Sequence, residues 1–281
     1  MITLSSDFGS PYPAAMKGVL LQGTDARLVD VSHAFPRQDV RSVAFWLREV
    51  MPYFPPAVHL VVVDPGVGTD RAALAVRAGD HALVGPDNGV LLPVARELAE
   101  RTTEPEEPAT GSGGDSAALD VFEVTYDDPA SSTFHGRDVF APAAAAVHEA
   151  GVGAVADADD LVPADRFRAV AGVRPADEWT DLRFPDPVVE ADGASGEVLV
   201  VDDFGNAVTN VPGSVLDDYW GASVDVNGER VIVRRTYGDV TPGQRLVTVG
   251  SHGNVELAVN RGRGDEGFGI APGDPVRLAF P

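Results

Sequence analysis

Cysteine is absent from all 281 residues, and lysine occurs only at Lys17. Without thiols the chain has no disulfide framework, no thiolate nucleophile and no cysteine-based zinc site, so a metal would have to be held by histidine and carboxylate. The histidines show no zinc-helix spacing, and no metal is expected. Long apolar runs are also missing. The longest candidate, residues 139–156, is interrupted by Pro142, His148 and Glu149, whereas a membrane span needs roughly 18 uninterrupted apolar residues. The first seven residues carry no basic cluster and no extended apolar core, so they read as a strand and not as a secretion signal, and the expected location is the cytoplasm. Positive charge is scarce as a class: 21 Lys and Arg stand against 43 Asp and Glu, a formal net charge of −22. A surface of that sign repels nucleic acid. At low ionic strength it also works against the compact state, whereas at about 1 M salt the Debye length falls to roughly 3 Å and most of the repulsion is screened. The composition therefore predicts a halophilic protein.

What is present is enough hydrophobic material, 44% of the chain, to fill two cores. Strand-like segments at 2–6, 28–31, 58–64, 72–76, 81–84 and 119–124 alternate with helical patterns. Val40, Val43, Ala44, Leu47, Val50 and Met51 recur at helical spacing behind Asp39, which sits where an N-cap belongs. Residues 88–99 and 137–150 repeat that logic, and Leu60-Val61-Val62-Val63 suits a buried central strand. The expectation is an α/β domain over 1–178, its sheet largely parallel and flanked by helices. Residues 102–118, rich in Glu, Pro, Gly, Ser and Ala without periodicity, read as surface loop. A proline-bearing break at 172–187 introduces short alternating strands at 197–201, 207–211, 223–226, 230–234, 246–250, 255–259 and 276–280. That pattern predicts a mainly β, barrel-like domain over 179–281.

Four constellations carry chemistry-bearing groups. Asp7-Phe8-Gly9 follows the first strand, at the sheet edge where open α/β folds place ligands, although Asp beside Gly is also ordinary turn chemistry. Asp64-Pro65-Gly66-Val67-Gly68-Thr69-Asp70-Arg71 puts a carboxylate and a guanidinium in one glycine-rich turn, suited equally to chemistry and to clamping a loop. It lacks the Gly-Lys-Ser/Thr of a phosphate-binding loop. Phe134-His135-Gly136-Arg137-Asp138 precedes a helix, whose amino terminus favours anions. Asp202-Asp203-Phe204-Gly205-Asn206 supplies carboxylates, an aromatic and an amide, or simply a hairpin turn. His33 and His252 are two further histidines of interest, while His59, His81 and His148 fall within predicted elements and read as structural.

Taken in order, Thr3 to Gly9, Met16-Lys17-Gly18, Val29-Asp30-Val31-Ser32-His33, Gln38-Asp39-Val40-Arg41, Asp64 to Thr69, Gly85-Pro86-Asp87-Asn88-Gly89, Ser132 to Pro142, Asp202 to Asn210 and Gly250 to Gly262 resemble the S-adenosylmethionine (SAM) hydroxide adenosyltransferases, relatives of fluorinase and chlorinase. The resemblance runs almost end to end. It implies hydrolysis of SAM to adenosine and L-methionine by a homotrimer with sites between neighbouring subunits, and no cofactor beyond the substrate. By the same resemblance Asp64, Arg71 and His135 form the water-activating triad, and Asp7 binds the ribose diol. Asp202 and Asn206 contact the methionine ammonium and adenine, Ser251 and His252 lie near the methionine carboxylate, and the Asn260-Arg261 backbone lies near adenine. Phe134, Gly136 and Phe204 complete the substrate-binding set, with Tyr12 standing in for an acidic residue lost from a shortened loop. Halide is disfavoured as nucleophile, because Asp64 replaces the Tyr and Gly136 the halide-binding Ser of fluorinase, while Val67 and Gln38 replace Thr and an aromatic. Asp203 stands where the family tends to have Arg. The competing expectations are a chloride adenosyltransferase and a non-catalytic adenosine- or SAM-binding protein.

The charge argument predicts a melting temperature that climbs as KCl is raised from about 0.1 to 2 M, as like-charge repulsion is screened. A flat thermal-shift profile across that range would contradict it.

Overall fold

The computed structural model describes residues 1–102, 119–126, 129–151, 170 and 172–281. Most of the segment read as surface loop, residues 103–118, lies outside them. The chain divides into two compact units, Met1–Arg183 and Phe184–Pro281.

The first unit is built on seven strands: β1 (Ile2–Ser6), β2 (Leu28–Ser32), β3 (Val58–Val62), β4 (Ala73–Ala78), β5 (His81–Pro86), β6 (Asp120–Val124) and β7 (Val173–Pro175). Their order is β2-β1-β3-β5-β4-β6-β7. The first four in that order run parallel. From β5 outward the sheet continues antiparallel, because β4 and β5 form a hairpin closed between Ala78 and His81, with Gly79 at a φ of 61° in the turn. All residues of β1, β3 and β5 are buried, as expected of strands covered on both faces. Ile2, Leu4, Leu60 and Val62 share one core with Met16 and Leu20 of α1 (Tyr12–Gly23) and with Ala144 and Val147 of α4 (Ala141–Glu149). Helices α2 (Val40–Val50) and α3 (Leu92–Thr102) pack against each other. Asp39 caps α2 by accepting a hydrogen bond from the Ser42 amide at 3.0 Å, the N-cap role its position suggested.

Two helix starts differ from the periodicity. Asn88 is drawn out of α3, its side-chain oxygen accepting from the Val90 amide at 3.1 Å while its amide donates to the Val63 carbonyl at 2.8 Å. Ahead of α4, Gly136–Phe140 forms one π-helical turn in which the Ala141 amide reaches the Gly136 carbonyl. Pro142 has no amide proton to give, so a wider turn before it is tolerated.

In the second unit β8 (Val188–Glu190), β9 (Gly193–Val201), β10 (Ala207–Pro212), β11 (Ser223–Val226), β12 (Glu229–Val233), β13 (Arg245–Val249), β14 (Asn254–Val259) and β15 (Pro275–Ala279) form one sheet, with a short helix α5 (Gly264–Phe268). Pairing of β10 with β9 joins the two sides of the order β10-β14-β13-β12-β11-β15-β9, which makes a closed seven-stranded barrel with β8 appended to β9. Closure removes the free edges a seven-stranded sheet would expose. The interior is filled mainly by valine, including Val198, Val211, Val224, Val233 and Val247.

Two buried histidines bind the parallel half of the first sheet together. His59 Nδ1 is 2.7 Å from the Thr3 hydroxyl and its Nε2 is 2.9 Å from His81 Nδ1. Burial, aided by the charge of His81, lowers the His59 pKa from 6.5 to about 3. The unfolded chain therefore takes up this proton near 6.5 while the folded one resists it to about 3, so stability is complete above the first value and is lost as pH falls toward the second. Denaturant titrations between pH 6.5 and 4 should show His59→Gln with a shallower loss of stability than the parent, by up to about 1.4 kcal/mol per pH unit. Identical slopes would contradict the assignment.

Candidate active site

A cavity of about 720 Å³ opens in the first unit at the carboxyl ends of β1 and β3. Asp7 and Phe8 enter it from the end of β1, Asp64 and Val67 from the turn after β3, and Phe134, His135 and Gly136 from the segment leading into α4. Crossover connections leave such a crevice beyond the ends of parallel strands, where loop side chains converge without disturbing the core.

The turn after β3 is shaped by its ion pair. Asp64 Oδ1 accepts from Arg71 Nη1 at 2.6 Å and from the Gly66 amide at 3.1 Å, with the Asp64 side chain only 6% exposed. The guanidinium folds back over Gly66 so closely that a Cβ there would lie 2.4–2.6 Å from its atoms. Gly68, at a φ of 84°, brings the turn against the Ser132 carbonyl, 2.6 Å from where its own Cβ would stand. Gly68 needs glycine for both space and backbone conformation, whereas at Gly66 an added methyl group would have to push the Arg71 guanidinium off the turn. The pair is thus a loop clamp, and Asp64 is also part of the cavity wall.

The segment docked on this turn carries His135, which is 7% exposed and has Tyr126 and Phe140 as ring neighbours at 6.2 and 6.5 Å between centroids. Among the described residues its ring makes no hydrogen bond. Asp138 holds the approach by accepting from the Ser131 amide at 2.9 Å and from both Arg137 Nε and Nη2. Its carboxyl is kept below the usual carboxylate range chiefly by Arg137, against the cost of partial burial. Gly136 is tightly enclosed, with Met16 Sδ 2.9 Å and Val62 Cγ1 3.1 Å from the position of an added Cβ.

Asp7 accepts the Gln38 amide at 2.7 Å, and Gln38 adopts a φ of 62° to present it. Phe8, Tyr12 and Phe134 meet edge to face, 5.5–6.2 Å between centroids, and give the cavity an aromatic side. Tyr12 is 55% exposed. Phe8 and Arg37 line the cavity although the sequence reading did not single them out as ligand contacts. Phe8 lay inside a recognised motif, so the signal existed; nothing in the sequence marks Arg37.

The remaining expected residues lie on the barrel unit. Asp202, between β9 and β10, accepts from the Asn206 amide at 2.8 Å and from its side chain at 2.9 Å, while Phe204 at the same turn is 81% exposed. His252, between β13 and β14, is engaged at both nitrogens: Nδ1 accepts from the Asn254 amide at 3.2 Å and Nε2 faces Glu256 at 3.0 Å. Buried Glu256 also accepts from Tyr237 at 2.7 Å, and burial together with that carboxylate raises the Tyr237 pKa. Ser251 is exposed on the His252 turn, at the opposite end of β14 from Asn260 and Arg261. Asn260 uses its amide, carbonyl and side chain within the barrel, toward Gln244, Gly243 and Val240. Arg261 has a φ of 55°. Glu256, which ties Tyr237 to His252, escaped sequence reading because it alternates normally within a strand. Among the described residues no three His, Asp or Glu side chains gather as a metal ion would require, and no helix is long and apolar enough to cross a membrane.

An α/β unit with a polar, aromatic-sided crevice beyond its parallel strands, followed by a closed β barrel, defines a two-domain ligand-binding class. Domain models narrow it. The SAM hydroxide adenosyltransferase N-terminal domain matches residues 2–155 and the C-terminal domain residues 196–277. An (R)-S-adenosyl-L-methionine hydrolase of Salinispora tropica is 43% identical over 99% of this chain and 97% of its own length. Another, of Thermus thermophilus, is 41% identical over 97% of each. The solved structure of an uncharacterized conserved protein from Thermotoga maritima superposes with a TM-score of 0.76 at 31% identity, covering 99% of this chain and 100% of that one. A conserved hypothetical protein from Thermus thermophilus gives 0.69 at 38%, covering 99% and 98%. The chain belongs to the SAM hydroxide adenosyltransferase family.

Because the Arg71 guanidinium occupies the space above Gly66, Gly66→Ala should cost about 1–3 kcal/mol of stability through overpacking. The same substitution in an Arg71→Ala background should cost at least about 1 kcal/mol less, since contacting residues couple. Additive losses in a denaturation double-mutant cycle would rule out the packing described.

Proposed function

We propose that this protein hydrolyses S-adenosylmethionine, with water displacing L-methionine from the ribose 5′ carbon to leave adenosine. The observation that carries the reading is the convergence of Asp7, Asp64 and His135 on one cavity, with Arg71 fixed by Asp64, in a chain of this family. The sulfonium is already a good leaving group, so its departing thioether needs no proton. Water is the weak partner. Holding it in line behind the 5′ carbon removes an entropic barrier, and a positioned base contributes typically 10²- to 10⁴-fold. We assign proton acceptance to His135, whose ring nitrogens are uncommitted among the described residues, and the organising role to Asp64. A carboxylate that is locked to a guanidinium is a poor base, but it offsets the repulsion between Arg71 and the sulfonium. The oxygen–carbon bond forms as the carbon–sulfur bond breaks, and the water proton passes to the imidazole.

Asp7 is assigned to the ribose hydroxyls, and the aromatic side made by Phe8, Tyr12 and Phe134 to the apolar faces of the adenosyl group. Gly136 is assigned to close approach of backbone to substrate. Asp202, Phe204, Asn206, Ser251, His252 and the Asn260-Arg261 backbone are assigned to the methionine and adenine ends. The reading includes a homotrimer with shared sites, a salt-rich cytoplasm and no cofactor.

Turnover of SAM in ¹⁸O-labelled water tests the chemistry: adenosine carrying label at the 5′ oxygen is expected. Formation of 5′-chloro-5′-deoxyadenosine in KCl would replace hydrolysis with halide transfer, and adenosine binding without turnover would leave a binding protein. His135→Ala should lower kcat by at least 10²-fold. Near-normal turnover of His135→Ala beside an inactive Asp64→Asn would reverse the assigned roles.

A further inference from the structure

One connected set of side chains stands outside the cavity and touches the segment that supplies Asp7, Phe8 and Tyr12 to its lining. His33, just after β2, reaches the end of β1 with its ring and the turn beyond β1 with its backbone. Its Nδ1 is 2.7 Å from the Ser6 hydroxyl, and its carbonyl accepts from the Gly9 amide at 2.8 Å. These contacts fall on either side of Asp7 and Phe8. Its Nε2 is 3.0 Å from Asp30 Oδ1, and the other Asp30 oxygen receives Lys17 Nζ at 2.5 Å. Lys17 belongs to α1, the helix that opens with Tyr12, so the chain Lys17–Asp30–His33–Ser6 spans α1, β2 and β1 around the Asp7–Tyr12 connection.

Regular pairing holds the end of β1 on one side only, where Ser5 and Ser6 face Val61 and Val62 of β3. On the other side the β1–β2 ladder slips between Leu4 and Ser5, after which Ser5 faces Ser32, and beyond that pair the β2 side of the chain is met by His33. Asp30 is fit to orient the imidazole. Partial burial works against its charge, but hydrogen bonds from Lys17 and His33 outweigh that and keep its carboxyl below the ordinary value. An ionised carboxylate at Nε2 favours the proton there and leaves Nδ1 to accept the Ser6 hydroxyl in the neutral ring.

We propose that Lys17, Asp30, His33 and Ser6 are positioning residues that fix Asp7 and Phe8 at the cavity wall and thereby set affinity for the adenosine part of the substrate without taking part in the displacement. The inference rests on the ribose role assigned to Asp7. It also accounts for the chain's single lysine being spent on a half-exposed ion pair: the pair acts through His33, not through its own Coulomb energy, which at an exposed site is small.

The test compares Ser6→Ala, His33→Leu, Lys17→Met and Lys17→Arg, measuring melting temperature, SAM kinetics and adenosine binding by calorimetry. Losing one anchoring hydrogen bond corresponds to roughly a five- to tenfold change in binding. Ser6→Ala and His33→Leu should therefore raise the KM for SAM and the Kd for adenosine together by about tenfold, with kcat within about threefold of the parent. Lys17→Met should move both in the same direction by a smaller factor, and Lys17→Arg should restore them. A drop in melting temperature with KM and Kd within twofold of the parent, or a fall in kcat alone, would overturn the proposal. If His33→Leu does not fold, Ser6→Ala and the Lys17 pair decide the matter. Should the parent release no adenosine from SAM, the hydrolase reading falls while calorimetry still judges the clamp; a parent that fails to bind adenosine ends both.

Discussion

The ion pair between Asp64 and Arg71 is the constraint on which the rest of the site depends. It closes the turn after β3 upon itself, across a glycine with no room for a methyl group, and so gives that turn one shape. The shaped turn then offers Gly68 as the surface on which the Ser132 backbone rests, and this contact brings the approach to α4, with His135, to the same cavity as Asp64. A carboxylate and an imidazole 71 positions apart in the chain line one cavity because a rigid loop lies between their backbones. An ion pair of this kind contributes less through net stabilisation than through the geometry it permits, since removing one partner leaves a buried charge exposed to its full desolvation cost.

Polar groups at the ends of the barrel follow the same economy. Asp202 accepts from its own neighbour Asn206 at both carboxylate oxygens, and Glu256 holds Tyr237 and His252 at once. Such side chains shape turns before they meet any ligand. The aromatic side of the first-unit cavity differs in kind: Phe8, Tyr12 and Phe134 satisfy one another edge to face and leave ring surface toward the open space.

Much of the fold was legible in the residues because strands and helices obey short-range periodicity. The helix behind Asp39, the apolar run of β3 and the β-rich character of the carboxy-terminal part all follow from spacing within about ten residues. The switch from parallel to antiparallel pairing at β5 was less visible, since nothing in a strand's own alternation names its neighbour. The two helix starts differed for local reasons that periodicity ignores, namely the Asn88 side chain competing for backbone amides and Pro142 withholding one.

By itself the sequence determined the absence of thiol chemistry, the negative surface, the two kinds of domain and the few turns rich in glycine, carboxylate and histidine, because composition and local spacing are complete in one dimension. Only the tertiary structure decided how those turns are used. It spends both nitrogens of His252 and the backbone groups of Asn260 inside the barrel, places the Gln38 amide on Asp7, lays Arg71 across Gly66 and pins β1 through His33. Each of these depends on which donor reaches which acceptor first, and that is settled by the path of the folded backbone through space and not by the order of residues along it.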